Sequence, residues 1–437
     1  MQRRHSFASL VIAAALFAGC ASIVLAQSVI TPTSSTVNPG DAGVRAHTNI
    51  QILPAGNFTG TPSVSGPPFP GLLYQDPASL ACIYNLQPPP LGISIQPSVP
   101  GCNPNLTTQN PSGGRKAIAI VDAYDDPNAY TDLQTFSSQF GVAAINPSSF
   151  VVVFAPSGGA APGSCTGPAT RPAVDPTGGW EIEESLDIEY AHAMAPGATL
   201  YLVEAQSNNF SDLFCAVTVA STLVHAAGGG EVSMSWGSGE FSKETSFDSV
   251  FTTANIVYFA SAGDSPGVSY PSSSPNVISV GGTTLSMDPV TGNFIGENVW
   301  QVAGGGPSAF EPRPAYQNGV SSIVGGSRGT PDISSDANPN TGVWVLDNFM
   351  APAGCTPQCW YIVGGTSVSS PTWAGIVNAA NSFAASSNAE LTKLYADPHG
   401  YFNDITIGSC GPYMGYFAIP GWDFCSGLGS PRTYSGK

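Results

Sequence analysis

From residue 116 onward the chain alternates short apolar runs with longer amphipathic ones. That alternation constrains the fold more than any other feature. Residues 116–122 (KAIAIVD) read as a strand, and Tyr130, Leu133, Phe136 and Phe140 fall at helical spacing within 127–140. Residues 149–154 predict a strand. Residues 181–195 predict a helix, stopped by Pro196-Gly197. Strands follow at 199–203, 231–236, 256–261 and 277–280, with helices at 213–227 and 367–384. Strands alternating with helices predict an α/β fold, a mostly parallel sheet with helices on both faces.

The ends of the chain carry a different signal. Residues 1–26 (MQRRHSFASLVIAAALFAGCASIVLA) place two arginines before an apolar run closed by small residues, the pattern of a secretory signal peptide cut after Ala26. Gly19-Cys20 offers a lipoprotein reading, which Phe17 disfavours. Residues 27–72 are rich in Pro, Gly, Ser and Thr and predict an extended N-terminal arm. Residues 73–437 form the single large domain. No later stretch is long and apolar enough to span a membrane. Nine cysteines less Cys20 leave eight, an even number that in an exported chain predicts disulfides. Sequence neighbours suggest Cys82–Cys102, Cys355–Cys359 and Cys410–Cys425, with Cys165–Cys215 left over.

Charge narrows the function. Twelve Lys+Arg against 29 Asp+Glu give a net charge of −17, which argues against nucleic acid and anionic membranes as partners. Two of those bases, Arg3 and Arg4, lie in the leader. A chain with so few bases gains little positive charge when its carboxylates protonate, so its composition is consistent with an acidic working environment, and equally with a neutral-pH secreted protein that happens to be Lys-poor.

Three local patterns suggest chemistry. Gly364-Gly365-Thr366-Ser367-Val368-Ser369-Ser370-Pro371 puts a glycine-flanked serine at the start of an apolar helix, where free N–H groups and the helix dipole favour an oxyanion. The same serine also suits an ordinary N-cap. Gly-Thr-Ser-x-x-x-Pro resembles the subtilisin nucleophile, and Asp122 could pass for that triad's aspartate, but no histidine stands in the required place. In its stead, Glu183 and Asp187 are i and i+4 on one helix, with Cβ atoms about 5–6 Å apart. Two such carboxyls share a proton, and one becomes a base that works in acid. A solvated acidic face is the competing reading, since Glu181, Glu184 and Glu189 are neighbours. The third pattern is Ala262-Gly263-Asp264-Ser265 at a strand end, where a protonated Asp264 could donate to an oxyanion or an ionised one could simply form an Asx-turn.

Taken together with Ser233-Met234-Ser235-Trp236-Gly237, Tyr270-Pro271, Val280-Gly281-Gly282-Thr283 and Pro331-Asp332-Ile333-Ser334, these motifs resemble the sedolisin family of serine-carboxyl peptidases over residues 74–431. The resemblance implies a subtilisin-like fold and a secreted, monomeric endopeptidase acting on protein or peptide substrates in acid. It makes Ser367 the nucleophile, Glu183 its base, Asp187 the carboxyl bonded to Glu183, and Asp264 the oxyanion-hole acid. Asp122 becomes a structural residue. It also implies one structural Ca²⁺, held by the side chains of Asp404 and Asp423 and the carbonyls of Ile405, Ile419 and Gly421. Two other readings compete: a catalytically silent secreted binding protein on the same fold, and a glycosidase using Glu183 and Asp187, which leaves Ser367 and Asp264 without a role. The family usually carries a large folded pro-domain before the catalytic domain, and the arm of about 45 residues is expected to be too short to form one.

Overall fold

The computed structural model describes residues 28–53, 58, 60–87, 101–349, 358–396 and 398–437; the predicted leader and Cys355 lie outside them. In chain order, the strands that frame the sheet and the site are β1 (His47–Thr48), β2 (Gln51–Leu53), β3 (Ala117–Ala123), β4 (Phe150–Phe154), β5 (Thr199–Ala205), β6 (Gly230–Met234) and β7 (Trp236–Gly239). They continue with β8 (Ile256–Ser261), β9 (Ile278–Met287), β10 (Phe294–Val299), β11 (Ile333–Asp336), β12 (Val343–Leu346) and β13 (Trp360–Gly364). The helices that cover the sheet and carry the site are α1 (Ala129–Phe140), α2 (Gly179–Met194), α3 (Phe210–Ala226) and α4 (Thr366–Ala380).

The central sheet runs β10-β9-β8-β6-β3-β5-β4, with β11 joining β9 as the eighth strand. Every pairing in it is parallel except β9 with β10. Its strands are apolar on both faces because both are covered. Along β3, Ile118 and Ile120 pack with Leu133 and Phe136 of α1, Leu186 of α2 and Trp373 and Val377 of α4. The alternate residues Ala117, Ala119 and Val121 pack with Leu213, Phe214 and Val217 of α3 on the other face. The α/β architecture read from the alternation is the one observed. Among the described residues, no helix is long and apolar enough to cross a membrane.

Several boundaries differ from the sequence expectation, three of them with a clear physical reason. The strand expected over 231–236 breaks at Ser235, because Trp236 onward leaves the sheet to pair antiparallel with β1 and with Ser269–Tyr270. Strand β9 runs on to Met287 because β10 gives it an antiparallel partner. Helix α4 ends at Ala380 rather than 384, capped by Asn381 in the left-handed region (φ 58°). Disulfides join Cys82–Cys102, Cys165–Cys215 and Cys410–Cys425; Cys359 is also disulfide-bonded.

Among the described residues of the arm, Thr33–Ser35 form a short 3-10 helix, and the stretch from Ile30 to Leu53 docks on the domain. Thr48 and His47 pair with Trp236 and Gly237 of β7. Gln51, Ile52 and Leu53 pair with Gly364, Val363 and Ile362 of β13.

Candidate active site

Helix α2 is buried along its whole length, and five of its residues are acids: Glu181, Glu183, Glu184, Asp187 and Glu189. This corrects the reading of a solvated acidic face. Three of the five sit in local brackets: Glu181 accepts the Asp175 N–H (2.7 Å), Glu189 accepts the Leu346 N–H (3.3 Å), and Asp187 Oδ1 accepts the Ser235 hydroxyl (2.9 Å). Burial pushes Glu183 and Asp187 well above the usual carboxylate range. For Glu183 the neighbouring carboxyls of Asp187 and Asp122 push the same way, while the nearby Ser367 hydroxyl favours the charged form. The pair therefore titrates as a unit and holds protons that ordinary carboxyls lose.

Ser367 is the second residue of α4 and is buried. Gly365 precedes it at φ 110°, and a Cβ there would fall 2.0 Å from the Asn49 carbonyl oxygen and 2.5 Å from Asp264 Oδ2. Only glycine lets these three elements meet. Pro371 lies inside α4 and has no N–H to give the carbonyl four residues back, which is that of Ser367. The Ser235 hydroxyl lies 3.3 Å from that freed carbonyl as well as near Asp187. The break in the strand at Ser235 thus ties the Ser367 turn to the carboxyl pair. In this rotamer Ser367 Oγ donates to the Ser235 carbonyl (3.1 Å) and accepts the Asn49 N–H (3.2 Å). Glu183 makes no hydrogen bond of good geometry among the described residues, although Ser367 and Asp187 sit close enough to bias its proton.

Asp264 stands three residues beyond the end of β8. It forms no Asx-turn; its Oδ1 accepts both the N–H (2.8 Å) and the hydroxyl (3.0 Å) of Thr366. The residue as a whole is partly exposed, but Oδ2 is covered and has no partner among the described residues. Burial outweighs the two Thr366 bonds and lifts the carboxyl to about 7. With Oδ1 committed as an acceptor, the proton belongs on Oδ2, facing the turn that holds Ser367.

The third carboxyl at the pair is Asp122 on β3. It is fully buried, neither oxygen has a partner among the described residues, and Asp187 and Glu204 add to the burial that raises it. The structural role expected for Asp122 leaves out this electrostatic contact with the pair. Sequence reasoning likewise missed Ser235 and Asn49. Ser235 lay inside a motif that was quoted without a role, and Asn49 lay in an arm with no periodicity to suggest where it docks.

Near the C-terminus, the Gly421 N–H donates to Asp404 Oδ2 (2.9 Å) and the Ile419 N–H to Asp423 Oδ2 (3.0 Å). Asp423 Oδ1 accepts the N–H groups of Cys425 (2.8 Å) and Ser426 (2.9 Å). Burial lifts Asp423 to about 6. Among the described residues, no hydrogen bond ends on the carbonyls of Ile405, Ile419 or Gly421. No cluster of three or more His, Cys, Asp or Glu capable of holding a metal occurs there either. A cation at this place would thus depend on those free carbonyls, an all-oxygen set that suits a hard ion.

The family model described as the subtilase family matches residues 178–397, about half of the chain, a span that includes Glu183, Asp187, Asp264 and Ser367. Kumamolisin from Bacillus sp. (strain MN-32) is 32% identical over 355 residues, covering 73% of this chain and 59% of that protein. The chain belongs to the subtilase family, in its sedolisin branch. Sedolisin from Pseudomonas sp. (strain 101) is 26% identical over 356 residues, 73% of this chain and 57% of that protein. A solved Pseudomonas sedolisin, described as a serine-carboxyl proteinase complexed with two molecules of pseudo-iodotyrostatin, matches with a TM-score of 0.61 and 25% identity, covering 82% of this chain and 95% of that one. The chain spans a little over half the length of the curated sedolisins it matches. The structure brings together the four residues that the sedolisin resemblance singled out, on α2, after β8 and at the start of α4, and adds Asp122 and Ser235 beside them.

Proposed function

We propose that this chain is a secreted, monomeric serine-type endopeptidase that hydrolyses protein or peptide substrates in acid. One observation carries the reading. A buried serine at a helix N-terminus lies between a buried carboxyl pair on one side and, on the other, a covered carboxyl oxygen with no partner among the described residues.

In the proposed mechanism Glu183 takes the Ser367 hydroxyl proton as Oγ attacks the substrate carbonyl carbon. Asp187 holds the second proton of the pair, so Glu183 can be ionised without placing two full charges in a buried site. Ser235 keeps Asp187 oriented. The developing oxyanion receives the Ser367 N–H and the proton on Asp264 Oδ2. Glu183 then returns its proton to the leaving amine, and water repeats the sequence on the acyl ester. The site is competent only while Asp264 is neutral, which makes the enzyme acid-active.

We also propose one structural Ca²⁺ in the C-terminal loop, held by Asp404 and Asp423 with the carbonyls of Ile405, Ile419 and Gly421. Such an ion supplies charge neutralisation and loop closure rather than catalysis. The deciding experiment is casein digestion across pH 2–8 by wild type beside Ser367→Ala. Acid-dependent digestion lost in the variant supports the reading. A folded wild type that binds but never digests casein would favour the silent binding protein.

A further inference from the structure

The Asp264 carboxyl is tied to the helix that carries Ser367 rather than to its own loop. Both of its hydrogen bonds among the described residues come from Thr366, the first residue of α4, through the N–H (2.8 Å) and the hydroxyl (3.0 Å). Thr366 is fully buried and directly precedes the serine. Its hydroxyl oxygen also accepts the Gly263 N–H (3.1 Å), and the Gly263 carbonyl accepts the Gly304 N–H (2.7 Å). One oxygen atom therefore bridges the backbone just before Asp264 and the Asp264 side chain.

Counting hydrogens around that oxygen gives a direction. A hydroxyl owns one hydrogen, and a backbone N–H only donates. Towards Gly263 the Thr366 oxygen is thus an acceptor, and among the described residues the acceptor next to its own hydrogen is Asp264 Oδ1. Oδ1 then receives two donors, the Thr366 hydroxyl and the Thr366 N–H, and has no lone pair left for a proton. The proton of a neutral Asp264 goes to Oδ2, which lies beside Gly365 in the turn leading to Ser367. Without the hydroxyl, Oδ1 keeps one open lone pair and competes for the proton. Threonine suits the task better than serine because its branched Cβ leaves χ1 few choices, which holds the hydroxyl in the bridge.

The groups packed around the carboxyl leave this bridge in charge. From α2 the titratable neighbour is Glu183, whose ionisation the Asp264 charge opposes. Segment 304–306 contributes glycine backbone, and Asn49 brings its carbonyl to the same point of Gly365 as Oδ2. Burial raises the Asp264 carboxyl, and both Thr366 bonds lower it.

We propose that Thr366 is a positioning residue for the reaction: its hydroxyl, held by Gly263, decides which oxygen of Asp264 carries the proton offered to the oxyanion. This rests on the reading of Asp264 as the oxyanion-hole acid. Thr366 does not itself donate to the oxyanion, because its hydrogen is spent on Oδ1. Removing the hydroxyl has two effects of opposite kind. The proton divides between two oxygens, so turnover in acid falls. The carboxylate loses a charge-assisted donor, so Asp264 keeps its proton to higher pH.

The test measures kcat and KM on a chromogenic peptide from pH 3 to 9, with thermal midpoints on the same preparations. The proteins are full-length wild type, Thr366→Val, Thr366→Ser, Asp264→Asn and the Thr366→Val/Asp264→Asn double variant. Thr366→Val should lose about tenfold in kcat at pH 4, the scale of one buried hydrogen bond, with KM unchanged. Its alkaline limb should move up by about one pH unit. Thr366→Ser, which keeps the hydroxyl, should restore the wild-type limb and most of kcat. In the Asp264→Asn background there is no proton to misplace, so Thr366→Val should change kcat less than threefold and leave the limb where it was. If Thr366→Val does not fold, Thr366→Ala takes its place in both backgrounds. Loss of kcat with the limb unmoved, or moved to lower pH, overturns the proposal and leaves the role of Asp264 standing. An equal loss in the Asp264→Asn background also overturns it, because Thr366 would then act on the oxyanion or on Ser367 directly. So does wild-type turnover in Thr366→Val. If Asp264→Asn keeps the wild-type limb, the oxyanion reading of Asp264 fails and the proposal with it.

Discussion

The oxyanion role proposed for Asp264 makes a quantitative prediction. Its carboxyl is lifted to about 7 by burial against two Thr366 hydrogen bonds. A group with that value is about nine-tenths protonated at pH 6, about one-tenth at pH 8 and about one-hundredth at pH 9. If only the protonated form donates, kcat falls about tenfold per pH unit above 7 from this residue alone. Asp264→Asn removes the titration. Its amide oxygen can keep both Thr366 bonds, and its nitrogen then stands in the place of Oδ2 as a permanent donor. The assay is kcat on a chromogenic peptide from pH 3 to 9. Wild type should show the steep alkaline limb. Asp264→Asn should be less active in acid and shallower above pH 7, its remaining slope belonging to the Glu183–Asp187 pair. Asp264→Ala should lose about 10²–10³ in kcat at every pH. An Asp264→Asn profile that overlays wild type after scaling would refute the reasoning, because the alkaline limb would then owe nothing to this carboxyl.

Ser367→Ala should abolish nearly all turnover with an unchanged thermal midpoint, and Glu183→Gln should cost about as much, since a nucleophile and its base act as a unit; turnover and melting curves check both. Gly365→Ala should eliminate activity and lower stability, because its Cβ would meet the Asn49 oxygen at 2.0 Å on a backbone with φ 110°; activity and circular dichroism report the two effects. Glu231, buried and lifted from 4.5 to about 8, ionises in the unfolded chain long before it does in the native state. Its contribution to stability is therefore complete below about pH 4.5 and is lost by about pH 8, a change of about 5 kcal/mol at 1.36 kcal/mol per unit. Glu231→Gln should match wild type in urea melts at pH 4 and exceed it at pH 8. EGTA should lower the wild-type melting midpoint at pH 6–7 but not that of Asp423→Asn, and the EGTA effect should fade as pH drops, because Asp404 and Asp423 must be ionised to ligate. At a hundredfold excess over Kd, bound ion adds roughly 2.7 kcal/mol.

The sheet was legible because parallel strands covered on both faces are continuously apolar, and runs such as 116–122 and 256–261 have no other home. The site was legible only in part. Glycine at 365 and proline at 371 mark the Ser367 turn because backbone geometry leaves few substitutes. Spacing alone put Glu183 and Asp187 on one face. What spacing could not tell was whether that face was wet. Charged residues are normally exposed, so five acids on α2 read as solvated, and their burial follows from packing against the sheet, β1 and α4. The break at Ser235 was hidden for a related reason. Met234, Ser235 and Trp236 look like one strand locally, and only the pairing of Trp236 with Thr48, nearly two hundred residues earlier in the chain, pulls it out. The docking of the arm is the extreme case. Asn49 shows no pattern until the cleft it fills exists.

The acids around the site also bear on why the chain needs acid at all. Asp122, Glu184 and Asp126 are buried and raised well above the ordinary range, and Asp122 and Glu184 have no hydrogen-bond partner among the described residues. The ion pairs among those residues lie elsewhere or, like Arg171 with Asp125, at the margin of the cluster. Unpaired buried carboxyls are tolerable only when neutral. Neutralising them favours the native state below about pH 4, and that gain drains away as pH rises and the unfolded chain ionises first. The fold and the proposed chemistry therefore share one acid window for separate reasons. Stability draws on the whole carboxyl cluster, whereas turnover draws on the Glu183–Asp187 pair and on Asp264. The two can be pulled apart: Asp264→Asn should broaden the pH range of turnover, while the pH at which the protein unfolds stays governed by the other buried acids. If unfolding and inactivation moved together in that variant, the alkaline loss of activity would be loss of the fold, and no oxyanion proton would be needed to explain it.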